Sequence, residues 1–273
     1  MGQPDLQERH REAMRAWTTF VESGDLAEPV VRPEILSSWA RSTAAITPDV
    51  TEAPLADEDE TASIWKDSPL QVAVESVESE LRRTAEDGDL VLAVTDAQTR
   101  ILWTYGGRVM RRKAETVNFV AGGRWDDESV GTNALDLANR LGEPSMVFSA
   151  EHYASIVHNW VCWAAPVFDP ATGLQLGVLD LSTTWDRTHP IGLATARVMA
   201  RLIESALPHS TQHPSAYPDL TQDPGLVMTL LGTADSISRA ITRAVASPMG
   251  WVRSQVVDRS MTCLLYTSDA ADE

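Results

Sequence analysis

The side chains best suited to bind a small molecule lie between Trp125 and Ser182. This stretch concentrates indole, amide, imidazole and thiol groups, carried by Trp125, Asn133, His152, His158, Trp160 and Cys162. Ligand pockets combine such groups, because apolar walls surround the substrate while a few polar atoms fix its orientation. The sequence contains no Gly-x-Ser-x-Gly turn, no cysteine with a placed histidine base and no glycine-lysine phosphate loop. We therefore predict a site that binds a small molecule without transforming it, and we do not predict an enzyme.

Three of these side chains could instead be metal ligands. His152, His158 and Cys162 are of the right chemical type, but their spacing matches no established metal signature. No metal and no cofactor is therefore predicted. Cys162 alone is interpreted as a small buried apolar residue, because no basic neighbour in the sequence would lower the pKa of its thiol.

The remaining candidates also have structural interpretations, and the sequence leaves both open. Trp125 can fasten a helix to the sheet, and Trp160 can fill the core or face a polar pocket. Asn133 can cap a helix or contact an oxygenated ligand. Asp180 lies inside an apolar strand, where an unpaired carboxylate would be costly. We expect it to pair with a backbone group or with an arginine such as Arg124.

The apolar periodicity predicts the elements that must position these residues. Helices are predicted from Asp5 to Gly24, from Pro33 onward, and over residues 68–87, 128–141, 150–160 and 190–207, with a short one within 108–120. Strands are predicted over residues 89–96, 100–107, 144–149, 161–169 and 174–183. This order describes an α+β sandwich, in which a mainly antiparallel central sheet is flanked by helices and preceded by an N-terminal helical segment.

Composition restricts the possible partners. The 273-residue chain has 22 Lys and Arg against 39 Asp and Glu, a formal net charge of −17. Such a surface repels nucleic acids, whose binding relies on basic side chains, so DNA contact is expected only through a C-terminal region missing from this sequence. The two cysteines, Cys162 and Cys263, do not indicate a disulfide framework. With no apolar signal segment and no stretch long enough to cross a membrane, a cytoplasmic location without membrane contact is predicted.

The chain divides into five predicted segments. Residues 1–67 are a helical segment with an acidic linker at 49–60, and residues 68–207 are the main domain. Residues 208–225 are a proline-rich linker, and residues 226–260 are the start of a truncated output domain. Residues 261–273 resemble translated sequencing-adapter read-through, so no role is assigned to Cys263. No basic helix-turn-helix can be identified.

Four motifs resemble those of GAF domains. They are RPEILSSWARS at 32–42, WDDESVGTNA at 125–134, EHYASIVHNWVCWAAP at 151–166 and GVLDLS at 177–182. More closely, they are similar to the sensory half of bacterial regulators of the acetoin-catabolism type, many of them sigma-54-dependent activators. The resemblance covers about residues 32–207. It implies a GAF-like fold, a small-molecule effector and control of a DNA-binding region later in the chain.

Two functions are compatible with these features. In the first, an effector enters between the sheet and the helices 129–141 and 150–159, and the chain is a ligand-sensing regulatory domain. In the second, the chain is a dimerisation or protein-interaction module without a ligand, paired through helices 68–87 and 190–207, as the resemblance implies. A homodimer is expected in either case. A cavity lined by Trp160, His158 and Asn133 would favour the sensor, whereas a space filled by the chain's own side chains would favour the module.

Overall fold

Five antiparallel strands form the sheet on which the rest of the fold is built. The computed structural model describes residues 6–24 and 31–207, which belong to one compact unit. The strands are β1 (Val91–Thr95), β2 (Ile101–Gly106), β3 (Ser145–Phe148), β4 (Trp160–Phe168) and β5 (Gln175–Thr184), in the order β2-β1-β5-β4-β3. All four pairings are antiparallel. The α+β class with an antiparallel sheet, predicted from the sequence, is confirmed.

Eight α-helices accompany the sheet in the described part of the chain. They are α1 (Leu6–Ser23), α2 (Pro33–Ala45), α3 (Glu58–Asp67), α4 (Pro69–Ser76), α5 (Glu78–Asp87), α6 (Arg108–Glu115), α7 (Ala134–Leu141) and α8 (Gly192–Ala206). None of these helices is long and apolar enough to cross a lipid bilayer. The segments predicted at 208–225, 226–260 and 261–273 lie outside the described residues.

The helices cover the two faces of the sheet with different chemistry. Helices α4, α5 and α8 pack on one face, and helices α1, α2, α6 and α7 pack on the other. Because successive residues of a strand point to opposite faces, β5 directs Leu179 and Leu181 to the first group of helices and Asp180 and Ser182 to the second. We call the first the apolar face and the second the polar face.

Several predicted boundaries agree with the structure for identifiable reasons. Helix α1 ends at Ser23 because Gly24 adopts a φ of +75°, a conformation that favours glycine. Helix α2 begins at Pro33, whose fixed φ suits a first turn. The strand predicted at 89–96 and its hairpin partner at 100–107 are β1 and β2. Strand β1 is buried along its whole length and β2 is partly buried, which suits their β-branched and aromatic residues.

Other boundaries were wrong. Part of the acidic linker is helix α3, which begins where the Asp57 side chain accepts the N–H of Glu60 at 2.9 Å. The helix predicted at 68–87 is interrupted at Val77 and forms α4 and α5. The helix predicted at 128–141 starts only at Ala134, because Asn133 is extended and caps it.

The helix predicted at 150–160 is absent from the structure. Two short 3₁₀ turns, Ser149–Glu151 and Ser155–Val157, take its place, with extended backbone at His152 and Ala154 between them. We call residues 149–158 the His152 segment. The carbonyl oxygens of Glu151 and Tyr153 accept hydrogen bonds from indoles on α2 and α1 rather than from a helical turn, which explains why local periodicity misjudged the segment.

Candidate functional site

A small buried void lies on the polar face where the sequence predicted a pocket. It is lined by Trp125, Asn133, His152, Trp160 and Cys162, and also by Phe119, Ala134, Leu135, Val157 and Asp180. The sequence-predicted residues therefore converge, with the exception of His158. The space that they enclose is about 10 Å³, which is roughly the volume needed for one water molecule. In this conformation the predicted pocket is nearly filled by its own side chains.

Asp180 is the least satisfied polar group of the void. The residue is 1% exposed, and one carboxylate oxygen, Oδ2, accepts a hydrogen bond from the Ser182 hydroxyl. The other oxygen, Oδ1, is buried and has no hydrogen-bond partner among the residues that the structure describes. Burial raises the pKa of Asp180 to about 7. The expected pairing with Arg124 is wrong, because Arg124 is exposed and Ser182, two residues along the same strand, reaches the carboxylate instead.

Cys162 and Ser182 face each other across β4 and β5 beside this carboxylate. Cys162 is 6% exposed, and burial together with the nearby Asp180 carboxylate raises the pKa of its thiol well above the usual value. The side chain is thus a neutral thiol at physiological pH. This is the chemistry of a wall residue and not of a reactive nucleophile.

The two histidines of the site have different positions. His152 lines the void, and its Nδ1 lies 2.8 Å from the Ser149 carbonyl oxygen. Burial lowers the pKa of His152 to about 3, so the ring is neutral and Nδ1 donates its proton to that carbonyl. His158 lies outside the void; its Nε2 is 3.2 Å from the His152 carbonyl oxygen and its ring meets Trp17 edge-on at 4.6 Å. His158 does not line this void, and its predicted role in contacting a ligand stays a prediction.

Asn133 is in the lining but its amide is already engaged. Its Nδ2 donates to the carbonyl oxygens of Trp125 and Gly131, both at 2.8 Å, and its Oδ1 accepts the N–H of Asp136 at 3.1 Å. The bond to Oδ1 is that of a helix cap, and the two bonds from Nδ2 fix the side chain to the preceding loop. Asn133 therefore holds the wall in shape, and its predicted contact with a ligand stays a prediction.

Aromatic rings form the rest of the wall. Phe119 packs edge-on against Trp125 at 5.0 Å and against Trp160 at 5.6 Å between ring centroids. The indole N–H of Trp125 donates to the Asn118 carbonyl at 3.2 Å. Trp125 and Trp160 are 2% and 4% exposed, so both are core residues and lining residues at once.

The two N-terminal helices hold the His152 segment in place. The indole N–H of Trp39, on α2, donates to the Glu151 carbonyl at 2.8 Å, and that of Trp17, on α1, donates to the Tyr153 carbonyl at 2.9 Å. These bonds lie on either side of His152. Nothing in the sequence near either tryptophan indicates where its N–H group points.

A second polar cluster joins α2 to the loop before α7. Asp127 and Asp136 are both nearly inaccessible, and Asp127 accepts from Arg41 at 2.9 Å and from Ser38 at 3.1 Å. Burial and the nearby Asp127 raise the pKa of Asp136 to about 6, in spite of its ion pair with Arg140. In the described residues no group of three or more His, Cys, Asp or Glu side chains is arranged to hold a metal ion.

Comparison with known proteins connects this architecture to transcriptional regulators. The family model "MimR, N-terminal domain" matches residues 9–205. The propane 2-monooxygenase operon transcriptional activator MimR of Mycolicibacterium goodii is 31% identical over 208 residues, which cover 72% of this chain and 33% of that protein. The acetoin dehydrogenase operon transcriptional activator AcoR of Bacillus subtilis is 29% identical over 188 residues, or 67% of this chain and 31% of that one. The chain thus spans about a third of the length of these relatives.

One solved structure shares the fold. The structure of the E. coli DhaR(N)–DhaL complex superposes with a TM-score of 0.61 at 20% sequence identity, covering 80% of this chain and 68% of that chain. At this identity the match establishes the fold alone.

Proposed function

The chain belongs to the family of MimR N-terminal domains, and from this membership we propose that it is the ligand-sensing regulatory domain of a bacterial transcriptional activator. A small metabolite binds in the void of the polar face, and a DNA-binding region outside residues 6–207 carries out the response. In this proposal the domain is of the GAF type and works as a homodimer. No catalytic step is assigned to it.

The observation that carries the proposal is the carboxylate of Asp180. A buried polar atom without a hydrogen bond costs free energy, so such atoms are rare in the interior of a protein. Oδ1 of Asp180 is one, and it belongs to a void that also gathers an imidazole, a thiol and two indoles. A bound molecule that donates a hydrogen bond would remove the cost, which supports a binding role for the void.

The size of the void requires part of its wall to move. About 10 Å³ holds no metabolite, so an effector must displace some of the lining. The His152 segment is the part of the wall best suited to this movement, because it consists of short 3₁₀ turns rather than a strand or helix. The effector shifts the domain between two arrangements only if it binds the open one more tightly, by about 1–3 kcal/mol for a typical allosteric coupling.

The sheet offers a path from the void to the C-terminal helix. On β4, Cys162 faces the void, whereas the next residue, Trp163, faces α8 on the apolar face. Helix α8 begins at Gly192 directly on the Trp163 ring, so closely that any side chain at this position would overlap the ring. A displacement of β4 by the effector would therefore reach α8, the last described element before residue 208.

The near-complete filling of the void is the outcome that favours the alternative function, a dimerisation or interaction module without a small-molecule ligand. The surface for such a module would combine α4 and α8, which pack together and expose Val72 and Val198, at 56% and 61% respectively. In this alternative the polar groups around Asp180 serve only the specificity of the fold.

Ligand titration of the full chain separates the two functions. We expect acetoin, 2,3-butanediol or a short-chain alcohol or ketone to raise the melting temperature and to change the tryptophan fluorescence. The fluorescence response should be reduced in Trp160→Phe, which removes one of the two indoles that line the void, and kept in Trp163→Phe, which alters the opposite face. No response across the panel, together with a dimer that Val198→Asp dissociates in size-exclusion chromatography, would favour the interaction module.

A further inference from the structure

We infer that Asp180 is the specificity-determining residue of the void, and that it selects uncharged ligands with a hydroxyl group over carbonyl compounds, amines and carboxylates of the same size. This inference rests on the proposed function, since it assumes that a ligand enters the void. It goes further by assigning the chemical class of that ligand to one side-chain atom.

The position of Asp180 in the sheet explains why Oδ1 accepts no hydrogen bond. In the register of the sheet, its neighbours are Ala93 on β1 and Ala164 on β4. Alanine has no polar side-chain atom, so the residues directly opposite Asp180 offer no side-chain donor. The donor nearest along β5, Ser182, is bonded to Oδ2. The fold thus leaves one buried acceptor without a partner, on a residue that lines the void.

The lining of the void contains few groups that could help bind a charged ligand. Asp180 is the sole Asp, Glu, Lys or Arg among the residues that line it, and burial keeps both His152 and Cys162 uncharged. A carboxylate or phosphate ligand would meet a negative group with no cation to offset it, so anions are rejected.

Hydroxyl compounds, amines and ketones differ in how many hydrogen-bond donors they bring to the free acceptor of the void. Oδ1 of Asp180 is the one lining side-chain atom that is fully buried without a partner in the described structure. A hydroxyl group has one donor and satisfies it, whereas an ammonium group brings three donors and a second desolvation cost. A ketone brings an acceptor only, which would oppose the ionised carboxylate.

The test compares four probes of similar size: 2-butanol, 2-butanone, sec-butylamine and isobutyrate. We expect 2-butanol to bind the full chain at pH 8.5 at least about tenfold more tightly than each of the others, the typical effect of one hydrogen bond to a charged group. Isothermal titration calorimetry, or competition read by fluorescence, measures the ratios. Tighter binding of sec-butylamine, or equal binding of alcohol and ketone, would overturn the assignment.

Substitution of the carboxylate should remove the selectivity. Asp180→Asn keeps the shape but presents an amide that can donate as well as accept, so the alcohol-to-ketone ratio should fall to within about threefold. Asp136→Asn is the matched control, because Asp136, which lies on α7, is also buried but does not line the void. The control should keep the wild-type ratio, and a retained ratio in Asp180→Asn would overturn the inference.

A measurement on the wild-type chain covers the case in which Asp180→Asn does not fold. The pKa of Asp180 is about 7, so at pH 5.5 its carboxyl is protonated and can donate to a ketone. The alcohol-to-ketone ratio should therefore be smaller at pH 5.5 than at pH 8.5. The other titratable groups of the lining keep their state, since the pKa of His152 is about 3 and that of Cys162 is well above its usual value.

The outcomes distinguish this inference from the proposed function. Binding of any probe to the wild-type void without hydroxyl preference, and with no change between the two pH values, contradicts only the role of Asp180. A complete lack of binding by all four probes contradicts the sensor function itself, and the inference with it.

Discussion

The two faces of the sheet bury side chains of different chemistry. The apolar face packs Leu92, Val94, Val161, Leu179 and Leu181 against α4, α5 and α8, and this layer is a continuous hydrophobic core. The polar face, on the same strands, buries a carboxylate, an imidazole, an amide and a thiol next to aromatic rings. Apolar burial stabilises a fold, whereas buried polar groups lower its stability unless they are fully bonded.

Two adjacent residues of β5 illustrate this difference between the faces. Leu181 and Asp180 are each 1% exposed, yet one fills the core and the other leaves a carboxylate oxygen unbonded. A protein optimised for stability alone would place an apolar residue at both positions. Regions that give up stability in this way are where functional sites are expected.

The largest effect should come from the apolar face. Leu181→Ala leaves a cavity in a packed layer, and we expect it to lower the free energy of unfolding by about 2–5 kcal/mol. Asp180→Asn, one residue away, should change it by less than about 1 kcal/mol at neutral pH or increase it, because an ionised buried group is removed. Urea denaturation of the full chain measures both. Equal losses in the two variants would mean that the faces do not differ in role.

The pH dependence of stability should differ between wild type and Asp180→Asn. The folded-state pKa of Asp180, about 7, lies above the ordinary value of 3.8, so between these values the folded state holds the proton more firmly than the unfolded state. The stabilisation that this proton gives to the folded state is therefore present in full below pH 3.8. It is lost as the pH rises through about 7, at a slope of up to about 1.4 kcal/mol per pH unit. The stability of wild type relative to Asp180→Asn should decline over this window. A constant difference would contradict the burial of an ionisable carboxyl.

His152, on the same face, should give a pH dependence of stability with the opposite sign. Its pKa is lowered from 6.5 to about 3, so the unfolded state takes up a proton first as the solution is acidified. Stability should fall as the pH drops below 6.5, until the pH reaches about 3. His152→Asn keeps a donor near the Ser149 carbonyl without the titrating ring and should be less sensitive to acid. Parallel acid-denaturation curves for the two proteins would argue against a buried neutral imidazole.

A smaller effect is expected from the bonds that hold the His152 segment. Trp39→Phe keeps most of the ring but removes the donor to the Glu151 carbonyl, which should cost about 1–3 kcal/mol because that carbonyl loses its partner. The variant should also bind effectors more readily, since the wall of the void is less firmly fixed. Trp65→Phe, on the apolar face, is the control and should leave effector affinity unchanged. Thermal denaturation and titration with 2,3-butanediol measure the two effects.

Much of the fold follows from local sequence patterns. The β-branched run at Val91–Thr95, the helix stop at Gly24 and the helix start at Pro33 are all set by residues at those positions. The His152 segment was misjudged because its conformation depends on indole donors more than a hundred residues away, Trp17 and Trp39. Local periodicity contains no information about such bonds.

The convergence of the residues that line the void was predicted to a similar extent, whereas their role in binding stays a prediction. Trp125, Asn133, His152, Trp160 and Cys162 were placed together because aromatic and polar residues cluster near the ends of the predicted elements. Two features required the structure. The near-complete filling of the void depends on side-chain packing, and the free oxygen of Asp180 depends on the alanines opposite it in the sheet.

Hydrogen exchange followed by mass spectrometry tests most directly whether small molecules bind on the polar face. The full chain would be compared with and without saturating 2,3-butanediol. We predict slower exchange of the backbone amides in residues 125–135 and in the His152 segment, with smaller changes in α4 and α5. Unchanged exchange throughout, or protection confined to α4 and α8, would contradict a ligand site on the polar face.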